Sequence, residues 1–110
     1  MQRAFGMSLL KKESEYNDLD KYQSSDGDIF YYKKDTHIYH NPYGPAIILS
    51  DGYIEYCIEN TTHRLDGPAK IFENGEEFYY INDELLNKEE FEKHPDRLKF
   101  LGKEYLICIG

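Results

Sequence analysis

One phrase occurs twice in this chain, and the repetition restricts the possible folds more than any other feature. The first copy, HNPYGPAIILSDGYIEYCI, begins at His40, and the second copy, HRLDGPAKIFENGEEFYYI, begins at His63. The histidine, the Gly-Pro-Ala sequence and the second glycine all recur after 23 residues. A fixed period of this length is typical of proteins in which small units stack on one another. We therefore expect each copy to form one structural unit.

The pattern within each copy predicts a β-hairpin. A first strand, Ala46–Leu49 or Ala69–Phe72, is followed by an Asp-Gly or Asn-Gly turn, where glycine permits the positive φ that tight hairpins require. A second strand follows, and its hydrophobic residues recur at every second position, which places them on one face. The connection to the next unit runs through His-x-x-x-Gly-Pro-Ala, and its proline favours a strand start or a sheet edge.

An incomplete unit precedes the two full copies. Its turn at residues 25–27 has the same Ser-Asp-Gly sequence as the turn at 50–52, and two residues inserted between 33 and 39 account for its different spacing. Three tyrosines follow the turns at equivalent positions and are expected to form one ladder across the sheet: Tyr31, Tyr56 and Tyr79.

The two ends of the chain differ from the repeats. Before residue 25, a partly helical spacing of leucines and tyrosines permits a helix at about 8–22, and a mobile segment is the alternative. Near the C-terminus, Asn87 and Glu90 form a capping-box pattern, which predicts a short helix from 88 to about 94 that buries Phe91 and ends at His94-Pro95. A final hairpin or strand is then predicted from Leu98–Phe100, Gly102 and Tyr105–Ile109.

Together these elements predict a single domain over residues 1–110 with a mainly β (α+β) fold. We expect an antiparallel sheet of stacked 23-residue β-hairpins, closed by a short C-terminal helix and a last strand. The domain divides into an N-terminal segment at 1–24, the hairpin repeats at 25–81 and a helix–strand cap at 82–110.

The net charge of −8 and the pI of about 4.9 argue against direct binding to nucleic acid or to an anionic membrane, and they favour a basic protein partner. We find neither an apolar run of about 20 residues nor a secretory signal, so a cytoplasmic protein is expected. Cys57 and Cys108 are isolated in apolar runs, which favours two free thiols over a disulfide.

The sequence HRLDGPA at 63–69, the Asn-Gly that follows and the short Asn-Lys-Glu-Glu-Phe helix resemble tandem repeats found in bacteriophage, large-virus and bacterial proteins. Such repeats are similar to the MORN repeat, a β-hairpin unit of the same period. The resemblance covers residues 25–94. It departs from the MORN pattern because Gly-Pro-Ala replaces Gly-x-Gly and the strand tryptophan is missing. The resemblance implies a hairpin fold and a binding role, which in some bacterial relatives is that of an antitoxin.

The repeated histidines invite a catalytic interpretation. His40 and His63 would serve as acid and base, or would bind a metal together with Asp66. Since they occupy equivalent positions in two units, we interpret them as structural residues whose rings hydrogen-bond the backbone. Asp66 is expected to bond its own backbone two residues further on. Nucleophile and phosphate-binding motifs are missing from the sequence, which predicts neither an enzyme nor a cofactor or metal.

Negative charge is concentrated in one segment. Between residues 73 and 92 there are eight acidic residues and a single basic one, Lys88, which gives this segment a net charge of −7. These acids are the candidate partner-binding residues: Glu73, Glu76, Glu77, Asp83, Glu84, Glu89, Glu90 and Glu92. A negative face of this kind steers basic partners, although it is also typical of a solvated surface that protects a sheet from aggregation.

We therefore predict a non-enzymatic interaction protein, with a phage-type inhibitor of a host defence or nucleic-acid-handling enzyme as the preferred hypothesis. An antitoxin or immunity protein that neutralises a basic toxin is the first alternative. A small enzyme or nucleotide-binding protein that uses the repeat histidines and tyrosines is the second. The sequence leaves the oligomeric state open, a homodimer included.

Overall fold

Short strands and tight turns follow one another along most of the chain. The computed structural model describes residues 9–102. Its strands are β1 (Leu9–Lys12), β2 (Leu19–Ser24), β3 (Ile29–Lys33), β4 (Ile47–Ile48), β5 (Ile54–Glu55), β6 (Cys57–Ile58), β7 (Thr61–Thr62), β8 (Lys70–Ile71), β9 (Glu77–Ile81) and β10 (Glu84–Leu86). Two helices follow, α1 (Lys88–Glu92) and α2 (Pro95–Phe100).

Eight of these strands form one antiparallel sheet in the order β1-β2-β3-β4-β5-β8-β9-β10, and β6 pairs with β7 in a separate hairpin. The order follows the chain except for that hairpin, which lies between the two repeats. The predicted mainly β fold is therefore confirmed.

The glycine turns form as predicted. Each glycine has a positive φ and donates its N–H to the carbonyl three residues earlier: Gly27 to Ser24 (3.0 Å), Gly52 to Leu49 (3.0 Å) and Gly75 to Phe72 (2.9 Å). A side chain at this φ would be strained, so glycine fixes the position of each turn.

A second kind of tight turn was not predicted. Glu59-Asn60 joins β6 to β7, and Asn82-Asp83 joins β9 to β10. All four of these residues have a positive φ, between 48° and 69°. Two-residue turns of this kind match the natural twist of a hairpin. Each unit therefore contains two reversals before the Gly-Pro-Ala connection rather than one.

Two rows of side chains cross the sheet. In the first row, Ile29 lies opposite Ile48, which lies opposite Ile54, which lies opposite Ile71. Extending these registers by one residue gives the second row, in which the three ladder tyrosines alternate with two fully buried alanines: Tyr31, Ala46, Tyr56, Ala69 and Tyr79. The small alanine side chains leave room for the large rings on either side of them.

The predicted N-terminal helix is wrong for the described residues. Residues 9–24 form the antiparallel pair β1–β2, in which Leu10 lies opposite Gln23, instead of a helix. The side chain of Ser14 accepts the backbone N–H of Tyr16 at 3.0 Å, a local bond that competes with helical hydrogen bonding. Buried Asp20 then anchors the pair through Lys11 at 3.2 Å and Lys34 at 3.6 Å.

The C-terminal helix is confirmed and the strand after it is corrected. Asn87 caps α1 by accepting the N–H of Glu90 at 2.8 Å, and Glu90 accepts the N–H of Asn87 at 2.9 Å. The predicted strand residues Leu98–Phe100 belong instead to α2, because Pro95 occupies its first turn and His94 caps it by accepting the N–H of Asp96. The predicted strand at 105–109, like Cys108, lies outside the described residues.

The large buried hydrophobic side chains form two groups in a long, thin molecule of 58 × 32 × 18 Å. At one end, Phe91 of α1 packs with Ile81 and Leu86, and Leu65 and Tyr79 surround them. Towards the other end, Leu19, Tyr31 and Tyr32 are buried beside β2 and β3. None of the helices in residues 9–102 is long and apolar enough to cross a membrane.

Candidate partner-binding surface

The eight candidate acids lie at one end of the sheet. Glu73, Glu76 and Glu77 surround the turn between β8 and β9, and Asp83 and Glu84 lie at the turn between β9 and β10. The other three, Glu89, Glu90 and Glu92, are on α1, which packs against β9 and β10. Since β8, β9 and β10 are the last strands of the sheet, we call this region the acidic end. All eight side chains are exposed.

The acidic end is a broad surface rather than a single cluster. β9 spans five residues, so the turns at its two ends are about 13 Å apart. Glu77 lies on the same face of β9 as Tyr79 and Ile81, because side chains two residues apart share a face. The ring of Tyr79 contacts the ring of Phe91 at 4.5 Å between centroids. Glu77 and α1 are therefore on the same side of the sheet.

Few cations neutralise this surface. Within residues 9–102, the only ion pair that involves one of the eight acids joins Glu89 to Lys93 at 3.2 Å, and both side chains are mostly exposed. Glu90 belongs to the capping box of α1, and Glu76 accepts a hydrogen bond from Asn74 at 3.1 Å. An exposed ion pair of this type contributes little, so the field of the other carboxylates is largely uncompensated.

Asp83 has a structural role that sequence reasoning missed. Its carboxylate accepts the N–H of Thr62 at 2.7 Å, and Asn60, 23 residues earlier, accepts the N–H of Tyr39 at 2.8 Å. The recurrence of Asn and Asp in equivalent turns was the available signal, since both side chains commonly bond nearby backbone. Asp83 therefore holds its hairpin in place as well as adding charge.

The repeated histidines have the structural role that was predicted. Nδ1 of His40 accepts the N–H of Glu59 at 3.0 Å, and Nδ1 of His63 accepts the N–H of Asn82 at 3.0 Å. Burial lowers the pKa of His63, which favours the neutral ring that can accept this bond. Each histidine fastens its own connection to the following tight turn.

The prediction for Asp66 is wrong. Its carboxylate accepts Nε of Arg64 at 2.8 Å instead of bonding its own backbone. Arg64 is held in this position because its guanidinium stacks over the ring of Tyr56, 4.0 Å from the centroid, and donates to the carbonyl of Pro68 at 3.0 Å. In the first unit, Asn41 occupies the equivalent position and donates to Pro45 at 2.9 Å. Different side chains therefore stabilise the same connection.

An open cavity of about 510 Å³ lies between the two Gly-Pro-Ala connections. Its lining includes Tyr43 and Phe100, which are 56% and 57% exposed, together with His63 and Arg64. Nδ1 of His63 already accepts a hydrogen bond from Asn82, and Nε and Nη1 of Arg64 already donate to Asp66 and Pro68. This cavity was not anticipated from the sequence, because its walls come from both units and from α2.

Neither a metal-binding cluster nor an exposed cysteine occurs within residues 9–102. Residues 9–102 contain no group of three or more His, Cys, Asp or Glu side chains arranged to hold a metal ion. Cys57 is buried, and burial, reinforced by Glu55, raises the pKa of its thiol to about 12, so it stays protonated and unreactive at neutral pH.

No family model matches this chain, and neither a curated protein nor a solved structure is similar to it. The resemblance to MORN-like repeats stays a prediction based on the residues at 25–94.

Proposed function

We propose that this protein is a non-enzymatic interaction module that binds a basic protein through the acidic end. The observation that carries this proposal is the gathering of eight exposed carboxylates on the last three strands and α1, with a single ion pair among them in the described part of the chain. Uncompensated charge of one sign raises the rate at which an oppositely charged partner associates.

The partner class that fits this chemistry is a protein whose own surface is basic because it holds DNA or RNA. A negative surface competes with nucleic-acid phosphates for the same lysines and arginines. In this proposal, the protein is a phage-type inhibitor that acts in the host cytoplasm and blocks the nucleic-acid site of a host defence or nucleic-acid-handling enzyme.

The test compares two double charge reversals with the same change in net charge. Glu77→Lys/Glu92→Lys alters the acidic end at exposed positions outside the capping box. Glu13→Lys/Asp26→Lys alters exposed acids near the first hairpins and is the matched control. Wild type and both variants are immobilised, proteins are captured from a bacterial host lysate, and the captured protein is purified for titration calorimetry.

We expect affinity for the captured protein to fall by about tenfold or more in the acidic-end variant and by less than about twofold in the control. Affinity of the wild type is expected to weaken as salt rises from about 50 to about 300 mM. Equal affinity in all three proteins would refute the acidic-end mechanism. Capture of a toxin instead of a nucleic-acid-handling enzyme would replace the inhibitor role by that of an antitoxin.

A further inference from the structure

The two outer strands of the sheet carry opposite charges. β1 has the sequence Leu-Leu-Lys-Lys, and β10 has the sequence Glu-Leu-Leu. Within residues 9–102, β1 pairs with β2 and β10 pairs with β9, so each outer strand has one edge without a strand partner. A free edge presents backbone N–H and C=O groups that can pair with another strand.

Exposed leucines occur at both edges. Leu9 is 45% exposed, and Leu10 and Leu85 are each 56% exposed. Each of the two edges therefore offers backbone hydrogen-bonding groups together with apolar side chains, a combination that favours strand addition.

Strand direction makes the two edges compatible. Every neighbouring pair in the eight-stranded sheet is antiparallel, so β1 and β10 run in opposite directions. If a second copy is shifted along the sheet without rotation, its β1 meets β10 of the first copy in antiparallel orientation. The sheet would then continue across the junction with the same alternation.

One register places opposite charges at directly opposed positions. Placing Leu85 opposite Lys11 of the second copy puts Glu84 opposite Lys12 and Leu86 opposite Leu10. This register also keeps the same face of the sheet continuous across the junction. Within one copy, Leu85 lies opposite Tyr80 and Lys11 lies opposite Tyr22. The pairings of the strands between them place Tyr22 and Tyr80 on the same face of the sheet. Opposite charges at directly opposed positions stabilise a pair of strands, and like charges destabilise it.

Charge also disfavours the symmetric alternatives. Pairing β1 with β1 would bring four lysines to one junction without a carboxylate of β10 to oppose them, and pairing β10 with β10 would bring two Glu84 carboxylates together without a lysine of β1. Within residues 9–102, neither Lys12 nor Glu84 takes part in an ion pair, so both charges are available for the junction. We propose that the β10 edge of one copy binds the β1 edge of a second copy, which extends the sheet head to tail.

This self-association does not depend on the proposed binding of a foreign protein. It shares Glu84 with the acidic end and leaves the exposed carboxylates of the turn at 73–77 and of α1 outside the junction. The contact is much smaller than the about 1,200 Å² of a stable interface, so we expect a dissociation constant of about 0.1–1 mM. Because a head-to-tail contact leaves one edge free at each end, chains longer than a dimer are expected at high concentration.

The test uses the full-length protein and two charge reversals, Lys12→Glu and Glu84→Lys. Sedimentation velocity is recorded for wild type from about 10 μM to about 1 mM protein at low salt, where surface charges act most strongly. We expect the average sedimentation coefficient to rise with concentration without reaching a dimer plateau. Each variant alone is expected to associate about tenfold more weakly, because each replaces an opposite pair by a like pair.

An equal mixture of the two variants provides the decisive measurement. Lys12→Glu keeps Glu84 and Glu84→Lys keeps Lys12, so every junction between unlike copies again joins opposite charges. Because only half of the molecules offer a compatible edge to any given copy, association is expected to return to within about twofold of wild type. The controls Lys99→Glu and Glu59→Lys make the same changes in net charge at exposed positions away from the two edges and are expected to associate like wild type. Far-UV circular dichroism checks that all variants are folded.

Three results would overturn the proposal: a monomeric wild type at about 1 mM, association that neither reversal weakens, or a mixture no stronger than its components. A monomeric wild type would mean that the β1 and β10 edges do not pair between copies. A dimer plateau would indicate a symmetric contact instead.

Discussion

Each repeat histidine accepts a backbone N–H from a tight turn 19 residues further along the chain. A protonated Nδ1 cannot accept this bond, so the neutral ring is the form that stabilises the fold. His40 and His63 occupy equivalent positions and make equivalent hydrogen bonds in the two units. Their recurrence in the sequence therefore indicated a structural role correctly.

The contribution of His63 to stability depends on pH. Burial lowers its pKa below the value of about 6.5 that it has in the unfolded chain, so the folded state binds fewer protons. This contribution is complete above pH 6.5 and is lost as pH falls through the folded-state pKa. We expect the free energy of unfolding, measured with urea, to fall between pH 7 and pH 5 by less in His63→Ala than in wild type. Equal losses in both proteins would contradict the role assigned to this ring.

Gly67 and Gly44 occupy equivalent positions but have different surroundings. A Cβ at Gly67 would lie 2.8 Å from Cζ of Arg64, whereas a Cβ at Gly44 would have Nδ2 of Asn41 as its nearest neighbour, at 3.8 Å. Gly67→Ala should displace Arg64 from Tyr56, Asp66 and Pro68 and lower the free energy of unfolding by about 1 kcal/mol. Gly44→Ala is the matched control and should be neutral or slightly stabilising. Thermal unfolding measures the stability of both variants. Similar losses of stability in the two would show that Arg64 does not stabilise the connection.

At the scale of the elements, the two-residue turns determine where each unit reverses. Glu59 occupies the same position as Asn82, with φ values of 48° and 52°. Asparagine tolerates this left-handed conformation better than glutamate does. The first unit therefore carries a backbone cost that the second unit does not carry.

Exchanging the two turn residues tests this difference. Glu59→Asn should raise the free energy of unfolding by about 0.5 kcal/mol, even though it removes the exposed ion pair between Glu59 and Lys33 at 3.4 Å. Asn82→Glu, the reciprocal control, should lower it by a similar amount. Chemical denaturation of both variants measures the two changes, and changes of the same sign would show that backbone strain is not the cause.

The sequence predicted those elements whose signals are local. The Asp-Gly and Asn-Gly turns, the hairpin strands around them and the capping box at Asn87 all depend on residues within a few positions of one another. It did not predict β1, because this strand is held by Lys11 and Asp20, which meet only after the chain has reversed. The carboxylates of the acidic end could be predicted because they are concentrated in one segment of the sequence. The hydrogen bond from Thr62 to Asp83 could not be predicted, because it depends on a tight turn that contains no glycine.

At the scale of the whole molecule, the large buried hydrophobic side chains lie in two separate groups. Phe91, Ile81 and Leu86 pack at one end, and Leu19, Tyr31 and Tyr32 are buried beside β2 and β3. The half-buried isoleucine row and the buried side chains of Ala46, Cys57 and Ala69 lie between these groups. A structure of this kind is stabilised chiefly by contacts between neighbours, so its ends need not unfold together.

Phe91→Ala tests this independence. Loss of a buried phenylalanine costs about 3–5 kcal/mol in a well-packed site, which is enough to open a small end region. Hydrogen exchange measured by mass spectrometry should become faster in β9, β10 and α1, while amides of β2 and β3 keep most of their protection. Phe91→Leu, which keeps much of the volume, should have a smaller effect in the same region. Equal acceleration along the whole chain would instead show that the domain unfolds as one cooperative unit.

The backbone bonds between units have a consequence for how such a chain can change in length. Tyr31 donates to Ala46, and Tyr56 donates to Ala69, each at 2.8 Å, so the second strand of one unit meets the first strand of the next in the same way at both junctions. A duplicated stretch of 23 residues, inserted in frame between two units, would therefore form the same bonds on both sides. Gene duplication can lengthen this protein in whole units, and each added unit would increase the distance between its two ends without altering either of them.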